Sequence, residues 1–177
     1  NMIEFLKGGE KQFQLAEAAI QNNAATLSSD SVELLSPVPN PISVRDAYAF
    51  RQHVETARRN RGLEMIPEFD EIPIFYFTNH NAIFGEGDIQ VLPNHTKQLD
   101  FELECAAVIG KTGRNISVIE ADDYIAGFMI MNDFSARVLQ MQEMKLNLGP
   151  AKGKDFGTSF GPWLVTKDEL EKFKISS

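Results

Sequence analysis

The 177-residue sequence predicts an α+β, mainly β protein of short strands with flanking helices. Three observations point there. Apolar runs are brief, β-branched or aromatic, and bounded by Gly, Pro and Asn turn signals, as in residues 72–78 (IPIFYFT) and 125–134 (IAGFMIMNDF). Residues 99–109 (LDFELECAAVI) alternate almost strictly, the mark of a strand. Helical spacing is confined to a few segments, which argues against a helical bundle and against a regular βαβ repeat.

Each element follows from local chemistry. In residues 10–22, Phe13, Ala16, Ala19 and Ile20 recur at helical spacing, and Gly8-Gly9 separates this amphipathic helix from what precedes it. Residues 28–30 break the pattern, and 32–35 (VELL) read as a short strand. Pro37, Pro39 and Pro41 impose an extended connector, because each fixes its own φ and disfavours helix in its predecessor. The expected division is an N-terminal helix with its connecting segment, 1–36, and a main domain, 37–177. Ser43 with Asp46 three residues on resembles a helix start, so a helix is expected from there to about Asn60, stopped by Gly62. Its tail of Arg58, Arg59 and Arg61 places cations at the negative end of the helix dipole, which reads as capping on a solvated face rather than a phosphate site. Residues 72–78 are expected to be a buried strand, 79–81 a polar turn, 85–88 a second turn, and 89–92 a short strand before Pro93.

Hydrophobic residues make up 43% and charged residues 24%, the balance of a folded globular chain. Lys and Arg number 17 against 25 Asp and Glu, a net charge of −8 with a pI near 4.9. That field repels phosphate backbones and anionic lipid, so nucleic acid and membranes are poor partners. No apolar run approaches the length of a bilayer span. A single cysteine, Cys105, excludes an internal disulfide and a thiolate metal cluster. No secretory or transit pattern opens the sequence, and a cytoplasmic location is expected.

Side chains alternate across a strand, so Asp100, Glu102 and Glu104 share one face while Phe101, Leu103 and Cys105 share the other. The two glutamates emerge about 6.5 Å apart. A half-exposed antiparallel strand with acids outward and apolar residues inward has the same pattern. Asp133 shifts the balance, because it closes a strongly apolar strand where a carboxylate is costly without compensation. If the two strands are neighbours, three carboxylates converge and must protonate or bind a cation. Hard oxygen ligands without Cys or a His pair favour Mg²⁺, Mn²⁺ or Ca²⁺ over zinc. Arg137 and Gln140 follow Asp133 by four and seven residues, one face of a short helix. There they suit a carboxylate or carbonyl oxygen of a bound acid; Arg137 equally suits pairing with a ligand carboxylate. Met144 extends that stripe as packing. A regular helix from Ser43 would align Asp46, Phe50, His53 and Ala57. His80 and His95 fall in turn regions and are expected at the surface.

The ordered segments DFELECAAVIGK, GFMIMNDFSARVLQ and GPAKGKDFGTSFGPW, with SVRDAYAFRQHVETARRNRG upstream, resemble the fumarylacetoacetate hydrolase family. The resemblance implies a mixed β-roll. It implies a divalent metal, Mg²⁺ or else Mn²⁺ or Ca²⁺, on Glu102, Glu104 and Asp133, with Asp46 as a fourth ligand. Helix N-terminal charge is the other reading of Asp46. It makes His53 of the R-Q-H segment the base that activates water, and Tyr48 a substrate contact, although core packing is the ordinary reading of that tyrosine. Lys154 and Thr158 of the glycine-rich loop would support the metal; that loop lacks the spacing of a P-loop.

The chemistry so implied is metal stabilisation of an enolate formed from a dicarbonyl or 2-oxo acid substrate. Hydrolysis of a C–C bond in an acylpyruvate or diketo acid, of the kind met in aromatic catabolism, is the leading expectation. Decarboxylation, tautomerisation, isomerisation or hydration of a 2-oxo acid comes second, and a metal-binding but inactive domain third. Complete members are longer and carry a later T-G-T-P type motif and the acidic partner of the histidine. The chain is therefore expected to be incomplete at its C-terminus, with uncovered β edges that favour a homodimer.

Overall fold

The computed structural model describes residues 2–23 and 26–175. Two helices, α1 (Met2–Lys7) and α2 (Glu10–Gln21), open the chain, with Gly9 at φ 56° between them, and Phe5 packs edge-on against Phe13. A four-stranded sheet then organises the fold, in the order β3 (Ile83–Phe84), β8 (Thr158–Thr166), β6 (Ile125–Asp133) and β5 (Leu103–Ile109). β3 lies parallel to β8, and the other two pairings are antiparallel. Two small antiparallel ribbons flank it: β1 (Val44–Asp46) with β2 (Tyr76–Thr78), and β4 (Leu99–Asp100) with β7 (Ser135–Ala136). Helices α3 (Arg51–Asn60), α4 (Glu68–Glu71), α5 (Arg137–Glu143) and α6 (Lys167–Leu170) fill the connections.

The core lies on one face of the sheet. Met129, Met131 and Phe160 are its buried centre, with Val44, Ile83, Ala106 and Val108 packed around them. Register explains this: Met131 stands opposite both Glu104 and Phe160, so the face bearing the core also bears the glutamates. The other face carries Leu103 at 75% exposure, Ile130 at 62% and Trp163 at 65%. The strand thus departs from the half-exposed alternative: Glu102 and Glu104 are half-buried on the core face, and Leu103 and Cys105 are exposed on the other.

Several expectations are corrected here. Residues 43–46 form no helix start: the segment pairs with Tyr76–Thr78, with Asp46 opposite Tyr76, and the helix begins at Arg51. Cross-strand pairing overrides the local capping signal, so Asp46 and His53 share no helical stripe. The helix end is as expected, with Gly62 at φ 72° and Leu63 N–H reaching back to Arg58 O at 3.0 Å. Residues 32–35 form no strand; they run beside Gly85, where a Cβ would meet Ser36 N at 2.7 Å. The strand expected over 72–78 is limited to its last three residues, and Ile72, Ile74 and Phe77 are exposed. Residues 89–92 carry no ladder, and the pairing falls instead on Ile83–Phe84. His95 is buried rather than superficial: it stacks on Phe156 with ring centroids 4.2 Å apart, and its Nδ1 accepts from Leu92 N–H at 3.2 Å.

Candidate metal centre

Three strands and a loop aim carboxylates at one point. β5 and β6 run antiparallel, and past the end of their ladder Glu102 and Asp133 exchange backbone hydrogen bonds of 3.2 and 3.0 Å, which sets their side chains on the core face. Glu104 lies two residues further along β5 on the same face. Asp46 arrives from β1. One oxygen from each of Asp46, Glu102, Glu104 and Asp133 lies within 4.8 Å of the others. Asp46 and Asp133 are buried and the two glutamates half-buried.

Two cations and one phenol attend them. Lys154, 3% exposed, donates from Nζ to Glu102 Oε2 and to Asp133 Oδ2, both at 2.7 Å. Arg137 donates to Glu102 Oε1 at 2.7 Å, to Asp100 Oδ2 at 2.8 Å and to the Gln140 side-chain oxygen at 3.1 Å. Tyr76 Oη lies 2.6 Å from Asp46 Oδ2 and 2.7 Å from Asp133 Oδ2, bridging two carboxylates.

The electrostatics record the crowding. Burial, then the charges of Asp46, Asp133 and Glu102, push Glu104 up to about 8. Burial lifts Asp133 to about 6 even though Lys154 and Tyr76 pull it down. Burial also works to raise Glu102, but Lys154 and Arg137 outweigh it and hold that carboxyl below its ordinary value. Tyr76 is driven strongly upward by burial and by the Asp133 charge, so it stays a neutral donor.

The donor set fits a hard divalent cation. Asp133 Oδ1 is buried with no hydrogen-bond partner, and among the described residues no donor reaches the Glu104 carboxylate. Among the described residues the cations paired with these four carboxylates are Lys154 and a shared Arg137, and the remaining negative charge matches one doubly charged ion. All four ligand candidates offer oxygen, the preference of Mg²⁺, Mn²⁺ or Ca²⁺.

The other expected site residues are placed as follows. Thr158, 1% exposed, begins β8 opposite Asp133. Gln140 lies on α5 one turn from Arg137. His53 is exposed on the first turn of α3 and outside the carboxylate group. Tyr48 is 53% exposed and stacks on Phe69 at 6.2 Å. Sequence reasoning missed Tyr76, whose polar role depends on a ribbon pairing that local pattern does not reveal. His80 is exposed, as expected.

Comparison with known proteins agrees with this geometry. A family profile described as fumarylacetoacetate (FAA) hydrolase, C-terminal, matches residues 43–176. A mitochondrial oxaloacetate tautomerase of Xenopus laevis is 33% identical over 169 residues, which cover 96% of this chain and 51% of the relative. A fumarylacetoacetase of Arabidopsis thaliana is 52% identical over 124 residues, covering 60% of this chain and 29% of the relative. The solved fumarylacetoacetate hydrolase of the psychrophile Exiguobacterium antarcticum superimposes with a TM-score of 0.60 at 30% identity, over 82% of this chain and 50% of that one. The chain thus spans about half the length of the tautomerase or less of such relatives. That profile spans most of the sequence, all four carboxylates included, and the chain belongs to the fumarylacetoacetate hydrolase family.

Proposed function

We propose that this chain carries the metal-binding half of a hydrolase that cleaves a C–C bond in an acylpyruvate or diketo acid. The observation that supports this most is the convergence of Asp46, Glu102, Glu104 and Asp133 around an unsatisfied Asp133 oxygen. Mg²⁺, or Mn²⁺ or Ca²⁺, held by these four would supply Lewis-acid polarisation of a substrate carbonyl and offset the negative charge that develops there. Thr158 backs the Asp133 end of that site.

The residues around it have separable tasks. Lys154, fixed on Glu102 and Asp133, keeps a cation beside the reacting oxygens. Arg137, steered by Glu102 and Asp100, offers its one remaining N–H to the substrate carboxylate, and Gln140 adds an amide next to it. Tyr48 supplies an exposed aromatic face to the substrate's apolar part. His53 serves as general base toward water in this reading; its exposed position on α3 leaves the imidazole free to meet solvent. The expected partner is a small dicarbonyl or 2-oxo acid, and the expected assembly a homodimer in the cytoplasm. Among the described residues no helix is long and apolar enough to cross a membrane.

A second reading, tautomerisation of a 2-oxo acid such as oxaloacetate, is favoured by the relative that covers 96% of the chain. Tautomerisation needs proton transfer but no water attack, so there the base would act on a substrate proton rather than on water. The test assays short acylpyruvates and oxaloacetate with Mg²⁺ and Mn²⁺, in wild type and His53→Ala. Acylpyruvate cleavage lost in His53→Ala is the expected result. Turnover of oxaloacetate alone, whatever the effect of His53→Ala on it, replaces the first reading with the second, and no metal-dependent turnover of either overturns both.

A further inference from the structure

The geometry points to Glu143 as the positioning residue of Lys154. Glu143 closes α5, and its carboxylate accepts three successive backbone N–H groups of the glycine-rich loop: Ala151 at 2.8 Å, Lys152 at 2.7 Å and Gly153 at 3.0 Å. Convergent amides of this kind form an anion-binding concavity, and here the chain fills it with its own side chain. The next residue is Lys154, whose Nζ sits 2.7 Å from both Glu102 and Asp133.

The loop has little other freedom on that side. Gly153 lies flush on the helix, since a Cβ there would meet Gln140 N at 2.7 Å, and its carbonyl accepts from Ala136 N–H at 2.8 Å. Lys154 and Asp155 N–H both turn back onto Ala151 O, at 2.9 and 2.7 Å. One helix therefore governs both cations of the site: Arg137 at its start reaches Glu102 directly, and Glu143 at its end sets where Lys154 emerges. A carboxylate is needed because it has acceptor capacity for all three amides and a charge that strengthens each bond. The Glu143 carboxylate is hydrogen-bonded to the loop amides and not to Glu102 or Asp133.

The consequence for a bound cation rests on the function proposed above, but the positioning itself does not, and the experiment separates them. The first measurement is limited acetylation of the full chain with peptide mapping, which needs no metal. In wild type, buried Lys154 is expected to react roughly ten-fold or more slowly than exposed Lys111. In Glu143→Ala it approaches the Lys111 rate, while hydrogen exchange in 103–109 and 125–133 stays as in wild type. Glu143→Gln, which keeps acceptor capacity for part of the amide set, falls between, and it decides the matter if the alanine variant does not fold. Lys154 remaining protected in both variants overturns the inference.

The second measurement is Mn²⁺ binding by calorimetry. Glu143→Ala is expected to shift affinity in wild type and to shift nothing further in a Lys154→Met background. Equal, additive shifts in both backgrounds mean that Glu143 acts elsewhere and overturn the inference. Failure of wild type to bind Mn²⁺ counts against the proposed function instead, and leaves the acetylation result to judge Glu143.

Discussion

Tyr76, opposite Asp46 in the β1–β2 ribbon, reaches with one hydroxyl both Asp46 and Asp133, the latter on β6. Its neutral hydroxyl has one proton to share between two acceptors, so the arrangement tolerates a proton, or a cation, on the cluster. Tyr76→Phe leaves both carboxylates with one partner fewer, and is expected to destabilise the metal-free chain by about 1–3 kcal/mol in urea denaturation. The pH dependence follows from the same crowding. Glu104, at about 8 when folded against an ordinary 4.5, stabilises the fold fully below 4.5 and loses that contribution as pH rises through 8. Asp133, raised from 3.8 to about 6, acts in the same direction over a lower window. Asp100, held low by its hydrogen bond to Arg137, and Glu102, held low by Lys154 against the effect of burial, act oppositely and only below their ordinary values. The metal-free melting temperature is therefore expected to fall between 4.5 and about 8. Glu104→Gln, which is neutral at every pH, flattens that slope. Under the proposed function, saturating Mg²⁺ is expected to raise the wild-type melting temperature most at the alkaline end and that of Glu104→Gln far less; equal shifts in both would remove Glu104 from the cation site.

At the scale of elements, the site depends on β6 being held on both sides, by β5 at the glutamates and by β8 at Thr158. Gly127 permits the second contact: a Cβ there would stand 2.3 Å from Val165 O, a backbone atom with nowhere to go. Gly127→Ala is expected to lower stability by about 1–3 kcal/mol, read by denaturation, and to loosen hydrogen exchange along β8. Strand length decides how much of an element its own sequence encodes. β5 and β6 are long and strongly patterned, and the sequence places them closely. β1 and β3, at three and two residues, exist through what they pair with, so Ser43 and Asp46 looked like a helix start and Ile83–Phe84 carried no signal.

The whole molecule exposes 13715 Å², whereas a compact monomer of 19.8 kDa exposes about 8,600 Å². The apolar sheet face of Leu103, Ile130 and Trp163 contributes to that excess, and it backs directly onto the carboxylate face. Apolar surface of this extent drives association. The chain alone is expected to sediment heavier than 19.8 kDa and to bind a fluorescent apolar dye. Leu103→Lys combined with Ile130→Lys should reduce both effects without altering Mn²⁺ affinity, since both side chains point away from the cluster; unchanged sedimentation would show that this face is not what associates.

Composition and alternation by themselves determined an acidic, short-stranded protein in which Glu102 and Glu104 share a face and Asp133 ends an apolar strand. Those are properties of backbone period and of the cost of burying a charge, both readable one residue at a time. Tertiary structure alone decided which side of the Glu102–Glu104 strand is buried, that Asp46 joins from a ribbon rather than a helix, and that Tyr76 bridges two of the carboxylates. Strand register and loop closure bring together residues as far apart as Asp46 and Asp133, and no local pattern encodes that distance.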